Sequence, residues 1–205
     1  MNNAGRGLVG AAEEVTDDEL RDPMDLHLFG PAALVRAVLP VTREQGVGTI
    51  VQMSSQAGRI AFPGVSAYSA TKFAIEGWSE SLAGEVAPFG VRVMIVEPSR
   101  FRTSFNTAEA LLFAQESSTY GAALGALRSE MICADGLQEG DPVKAAQIIV
   151  SLAHGDDVPL RLPLGREAVG RLRTGHLTGL AELDRLHDLA ISANFDDPAS
   201  PPRSF

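Results

Sequence analysis

No stretch of this 205-residue chain approaches the roughly eighteen consecutive apolar residues that mark a membrane span. Its N-terminus also lacks a cationic lead followed by an apolar run. Both absences lead us to expect a cytoplasmic protein with no membrane partner. Cysteine is nearly absent. Cys133 alone excludes an internal disulfide, suits a reducing compartment, and is expected as a small buried or half-buried apolar residue. Basic residues are scarce, 17 Lys and Arg against 26 Asp and Glu, and a net charge of −9 argues against a nucleic-acid partner. His154, His176 and His187 show no metal-binding spacing with acids or with Cys133, so no metal is expected and all three read as surface residues. Gly-x-Ser-x-Gly does not occur, which removes the nucleophile elbow of a serine hydrolase. No internal repeat is visible.

What remains is an ordinary globular composition, 45% hydrophobic, long enough for one domain with a sizeable core. We expect that domain over residues 1–195, with the proline- and serine-rich residues 196–205 as a disordered tail.

The chemistry concentrates between Ser54 and Lys72. Thr49-Ile50-Val51-Gln52-Met53 reads as a short buried strand that delivers Ser54-Ser55 at its carboxyl end. In open α/β sheets, sites collect outside those strand ends. Tyr68 and Lys72 stand at i and i+4, so a helix places both on one face. A free phenol holds its proton near neutrality, and a neighbouring ammonium favours the phenolate, moving the group toward a useful acid–base range. A serine hydroxyl can donate to a carbonyl oxygen as charge develops there. The set suits carbonyl reduction or alcohol oxidation better than acyl transfer.

Around this centre the punctuation predicts further elements. Thr16-Asp17-Asp18-Glu19 fits a capping box opening a helix to about Arg43–Gly46, bent or divided at Gly30-Pro31. Arg59–Gly64 reads as a loop, with Phe62 a candidate pocket wall. A helix rich in small residues follows from about Ser66 to Val86, where Trp78 is expected in core or interface, and Pro88 and Gly90 stop it. Ala108–Ala114 reads as an apolar helical run, a lid or a plain packing helix, with Tyr120 and Met131 as further pocket candidates. Asp141-Pro142 caps another helix. Residues 159–165 read as a short last strand, and Val169 to Leu186 as a final amphipathic helix.

Four motifs in order resemble those of the short-chain dehydrogenase/reductases: Asn2-Asn3-Ala4-Gly5; Ser55 with Tyr68-Ser69-Ala70-Thr71-Lys72; Val91 to Pro98; and Phe101-Arg102-Thr103. The likeness covers about residues 1–105, with a weaker echo to about 165. It implies a Rossmann-like, doubly wound parallel α/β sheet. It implies an NAD- or NADP-dependent oxidoreductase moving hydride between the cofactor and a small carbonyl or alcohol substrate. Tyr68 is then the general acid/base and Ser55 the carbonyl polariser. Lys72 holds the nicotinamide ribose and lowers the Tyr68 pKa. Asn3, Ala4, Gly5, Pro98 and Thr103 join Tyr68 and Lys72 in holding cofactor. His27 stands where the family has an asparagine that supports a proton relay. A homo-oligomer through the helices at 17–45 and 66–87 is also implied.

Relative to that pattern, the glycine-rich phosphate loop is expected before Met1. The resemblance therefore implies a partial sheet lacking its first βαβαβ portion, an N-terminally truncated form. Gly5-Arg6-Gly7-Leu8-Val9-Gly10 spells G-x-G-x-x-G, with Asp25 about twenty residues on, but no room exists for the strand the motif requires before it. Two readings stay open: an oxidoreductase, or a short form unable to hold cofactor that acts as a pseudoenzyme or subunit partner. The missing portion also implies that the strand beside the break has an open apolar edge, a template for association.

Overall fold

The computed structural model describes residues 1–195, so the tail expected at 196–205 lies outside the described residues. In chain order the elements are β1 (Gly7–Val9), α1 (Asp17–Met24), a π-helical segment (Asp25–Phe29), α2 (Gly30–Gln45), β2 (Gly48–Met53), α3 (Ser66–Val86), β3 (Val91–Pro98), β4 (Leu111–Phe113), α4 (Gly121–Cys133), α5 (Pro142–His154), β5 (Arg161–Leu164) and α6 (Arg166–Ile191). Every strand pairing is parallel. β2, β3 and β5 form one sheet in that order, and β1 pairs with β4 in a second.

β3 is central, and its alternation decides the layers. Val91, Val93 and Ile95 face Val35 of α2 and Leu82 and Val86 of α3. Met94 and Val96 face the other way, onto Ile149 of α5 and Leu164 of β5. Successive strand residues point to opposite faces, so one apolar run buries itself against helices on both sides. The result is an α/β sandwich with helices above and below a parallel sheet, as the sequence predicts. Residue 2 extends the sheet on the free side of β2: Asn2 N–H donates to Val51 O (2.8 Å) and its carbonyl accepts from Met53 N–H (3.0 Å).

The local signals hold where they rest on capping. Thr16 accepts from the Glu19 N–H while Glu19 returns to the Thr16 N–H (2.9 Å). Asp141 caps α5 with Pro142 in the first turn. Four expectations change. The division of the 17–45 helix falls at Asp25–Phe29, before Gly30-Pro31: Pro31 lacks an N–H to extend the ladder, and the preceding turn widens to i→i+5 bonding. Leu111–Phe113 is a strand, because three residues are too few for a helix and β1 offers them a parallel edge. Cys133 ends α4 exposed, since only Leu124 and Arg128 of that helix are buried. The last strand is trimmed to Arg161–Leu164.

By length and composition the helical stretch Asp17–Gln45 is apolar enough to cross a membrane, which a count of uninterrupted apolar residues does not reveal. Its inner face is nevertheless committed to this fold, with Ala32 and Val35 buried and His27 bonded into the next helix. The outer face exposes Leu34, Val38 and Val41.

Candidate active site

The carboxyl end of β2 and the first turns of α3 bring Ser55, Tyr68 and Lys72 together. Ser54 N–H donates to Val96 O (2.8 Å), which holds the serine pair beside β3. Ser55 leaves the strand extended and caps the short turn Gln56–Gly58, its Oγ accepting from Ala57 N–H (3.1 Å). That bond uses an oxygen lone pair and leaves the Ser55 proton free to donate. A hydrogen bond from Ser55 favours the Tyr68 phenolate, yet burial dominates and pushes the phenol up to about 12. Lys72 is buried at 3% exposure, its ammonium donating to Met53 O (2.8 Å) and lying 5.7 Å from the Tyr68 ring centre. Burial draws Lys72 down to about 8, opposed by the charge of Glu76. The expected acidification of Tyr68 by Lys72 is therefore not what governs the phenol here. Desolvation outweighs the ammonium, and Tyr68 rests protonated.

Tyr68 is wedged between two rings, His27 at 5.7 Å and Phe105 at 5.9 Å, both edge-on. His27 Nε2 accepts from the Arg6 N–H (3.1 Å). Its Nδ1 meets Thr71 Oγ1 (2.8 Å), whose own proton goes to Tyr68 O (2.8 Å). Nδ1 is therefore the donor, and the tautomer follows from its neighbours. Burial first, then Lys72 and Arg6, lowers His27 to about 3. Both nitrogens are engaged by protein atoms, so the ring ties Arg6 to α3 and has no free atom for relay.

The nicotinamide-side candidates divide. Gly5 adjoins the ammonium: a Cβ there would come within 3.3 Å of His27 Nε2 and 3.8 Å of Lys72 Nζ, so glycine keeps that space open. Pro98 ends β3 beside the serine strand. Thr103 caps the turn that carries Phe105 to Tyr68, accepting from the Phe105 N–H (3.3 Å). Asn3 and Ala4 are exposed. Asn2, which the sequence left unassigned, is held by the ladder and by Gln52 Oε1 (2.8 Å). The open space at Gly5 beside the Lys72 ammonium fits the ribose end of a dinucleotide. Gly5–Gly10 does not fit its pyrophosphate, because Gly7–Val9 is strand and no helix begins before Asp17.

The three residues proposed as pocket walls have partners of their own. Phe62 packs under the Arg171 guanidinium of α6 (5.0 Å), Tyr120 donates to Glu13 (2.7 Å), and Met131 O accepts from Asn106 (3.0 Å). A cavity of about 430 Å³ beside Arg100, Glu130 and Glu167 shares no residue with the Ser55–Tyr68–Lys72 cluster. Sequence reasoning missed a buried ionic cluster beneath Lys72, formed by Glu76, Glu97, Arg59 and Arg161. An acid ending the apolar run of β3 is the signal that could have found it.

The sequence matches the short chain dehydrogenase family over residues 1–111. Oxidoreductase BOA17 of Botryotinia fuckeliana is 36% identical over 169 residues, covering 82% of this chain and 61% of that protein. The crystal structure of a short-chain dehydrogenase from Streptomyces avermitilis superposes with a TM-score of 0.86 at 48% identity, over 95% of this chain and 70% of that one. A 3-oxoacyl-[acyl-carrier protein] reductase from Brucella melitensis, solved with bound NAD, gives 0.60 at 27% identity over 80% and 58%. The chain spans about three fifths of the length of the first of these relatives.

Proposed function

The chain belongs to the short-chain dehydrogenase family, and we propose that it interconverts a carbonyl and an alcohol on a small molecule, using Ser55, Tyr68 and Lys72. The observation that supports this reading is the convergence of the three at one sheet end, where the Ser55 hydroxyl favours the Tyr68 phenolate and the Lys72 ammonium is anchored to Met53 O, 5.7 Å from the Tyr68 ring centre. A chain that served only as a pairing partner has no need of that convergence.

When bound, NAD or NADP supplies or accepts the hydride. In the reducing direction the Tyr68 hydroxyl gives its proton to the substrate oxygen, while the Ser55 hydroxyl donates a hydrogen bond to the same atom. Lys72, beside the open space at Gly5, would hold the nicotinamide ribose, and Asn3, Ala4, Pro98 and Thr103 would join Tyr68 in holding the cofactor. His27 acts as a positioning residue, since its ring fixes Thr71 and through it the Tyr68 carbonyl. Residues 1–195 work as one unit in the cytoplasm, and the exposed Leu34, Val38, Val41 and Phe73 on α2 and α3 support pairing with a second copy.

The pH behaviour has a definite sign. Tyr68 is protonated until about pH 12, so reduction has its proton donor at neutrality. The reverse oxidation needs the phenolate and climbs as the medium becomes alkaline. The test is titration of the purified chain with NADH and NADPH by fluorescence, followed by reduction assays on aliphatic and aromatic ketones and aldehydes. Binding of at least one cofactor and reduction at neutral pH are expected. Absence of both binding and turnover with either cofactor overturns the reading.

A further inference from the structure

A cation sealed from water needs a countercharge, yet Lys72 makes no salt bridge among the described residues and its one hydrogen bond goes to a neutral carbonyl. The acids nearest in sequence and space lie one turn further along α3 and across the sheet. Glu76 is 3% exposed and follows Lys72 at i+4; Glu97, at the end of β3, is 1% exposed. Their partners are unevenly shared. Arg161 of β5 gives two nitrogens to Glu80 (3.2 and 2.9 Å) and its Nε alone to Glu76 (3.3 Å) and Glu97 (3.4 Å). Arg59, before α3, goes to Glu97 (3.0 Å) and to His176 of α6. Among the described residues Glu76 Oε1 and the neighbouring Ser54 hydroxyl each lack a partner at hydrogen-bond geometry, although the Ser54 hydroxyl is near enough to favour the Glu76 carboxylate. Gly58 allows this crowding: a Cβ there would stand 2.6 Å from Ser54 Oγ, 2.9 Å from Lys72 O and 3.0 Å from Glu76 Cγ.

Arg59 and Arg161 leave one negative charge over when Glu76, Glu80 and Glu97 are ionised, and the Lys72 ammonium neutralises it. We propose that Glu76 is a positioning residue of the site, whose under-bonded carboxylate keeps the buried Lys72 ammonium charged and makes that charge depend on pH. Burial raises Glu76 to about 7, the Ser54 hydroxyl and the two guanidiniums opposing it and the Glu97 charge adding to it, whereas burial draws Lys72 down to about 8. Below neutrality Glu76 is uncharged and its support is withdrawn. Above about 8 the ammonium itself loses its proton. Ionised Glu76 therefore extends the charged state of Lys72, and with it the ribose grip, up to about pH 8, a consequence that rests on the oxidoreductase reading. The electrostatic coupling itself does not.

The chain has only two lysines, Lys72 and the exposed Lys144, so labelling lysine with ¹³C and ¹⁵N at the side-chain end gives two NMR signals. In the full chain the Lys72 signal should show an inflection as Glu76 titrates and a second at its own midpoint, with Lys144 as internal reference. Glu76→Gln should abolish the first inflection and lower the Lys72 midpoint by about one pH unit, the scale of losing an opposite charge at this range. Glu76→Asp should restore the first inflection. A Lys72 midpoint that Glu76→Gln leaves in place overturns the proposal. Should that variant not fold, a wild-type Lys72 signal without the Glu76 inflection overturns it equally. Coupling observed in a chain that binds no nicotinamide and reduces nothing upholds this inference while the functional reading fails.

Discussion

Residues 48–98 carry the Tyr68 phenol and residues 101–140 set Phe105 against its ring, and the two regions are held by different forces. In the first, β2, α3 and β3 bury Ile50, Leu82, Val93 and Ile95 in one cluster and present Ser55, Tyr68 and Lys72 from packed elements. In the second, one three-residue strand and one helix with two buried side chains are pinned by polar contacts. Arg128 reaches Glu14 (2.8 Å) and Ala114 O (3.0 Å), Tyr120 reaches Glu13, and Asn106 bridges Met131 O and Gln138. The groups assigned to chemistry thus ride on apolar packing, whereas Phe105, the wall over Tyr68, rides on a segment that a few bonds hold. Such a segment opens at lower free energy than the core, which suits the side a substrate enters.

Four perturbations break or sharpen that contrast. Met94 is fully buried between β3 and α5, and Met94→Ala should cost about 2–5 kcal/mol of unfolding free energy in urea titrations. The second acts through pH. His27 is held near 3 when folded against an ordinary value of 6.5, so the unfolded chain binds a proton that the folded chain refuses. Stability from this group is fully present above pH 6.5 and is lost progressively as pH falls toward 3. Between pH 6.5 and 5 the loss is on the order of 2 kcal/mol, and melting curves of His27→Asn should lack that slope.

Gly58→Ala is third. The added methyl meets the Lys72 carbonyl as well as two side chains, and a loss of about 1–3 kcal/mol is expected with a shifted Lys72 NMR signal. The smallest effect on global stability belongs to the other region. Arg128→Met should lower the opening free energy of residues 121–133 by about 1–3 kcal/mol, read as faster amide exchange there, while exchange in β2 and β3 stays unchanged. Equal acceleration in both regions would remove the contrast.

The same division governs what the sequence makes legible. α3, β3 and the Thr16 and Asp141 caps follow from periodicity and from residues within four positions of each other, and the structure keeps them. β1 and β4 are three residues each, and neither has a pattern of its own. They exist because Gly7 meets Leu111 across the chain, a pairing that local signals do not encode. Arg128 and Glu14 are 114 positions apart, and nothing local links them. At the site, the side chains were legible as types at a spacing, but their protonation was not. The state of Tyr68 depends on desolvation, and the tautomer of His27 on an amide of Arg6 and a hydroxyl of Thr71.

Tyr68→Phe removes one oxygen and leaves the ring between His27 and Phe105, so it isolates the proton step from the packing. With reduced nicotinamide cofactor and a carbonyl substrate at neutral pH, kcat should fall by about 10²–10⁴-fold while the melting temperature and nucleotide binding stay near those of the wild type. A phenylalanine variant that reduces the substrate at the wild-type rate contradicts the assignment of Tyr68 as proton donor, and with it the account of this site.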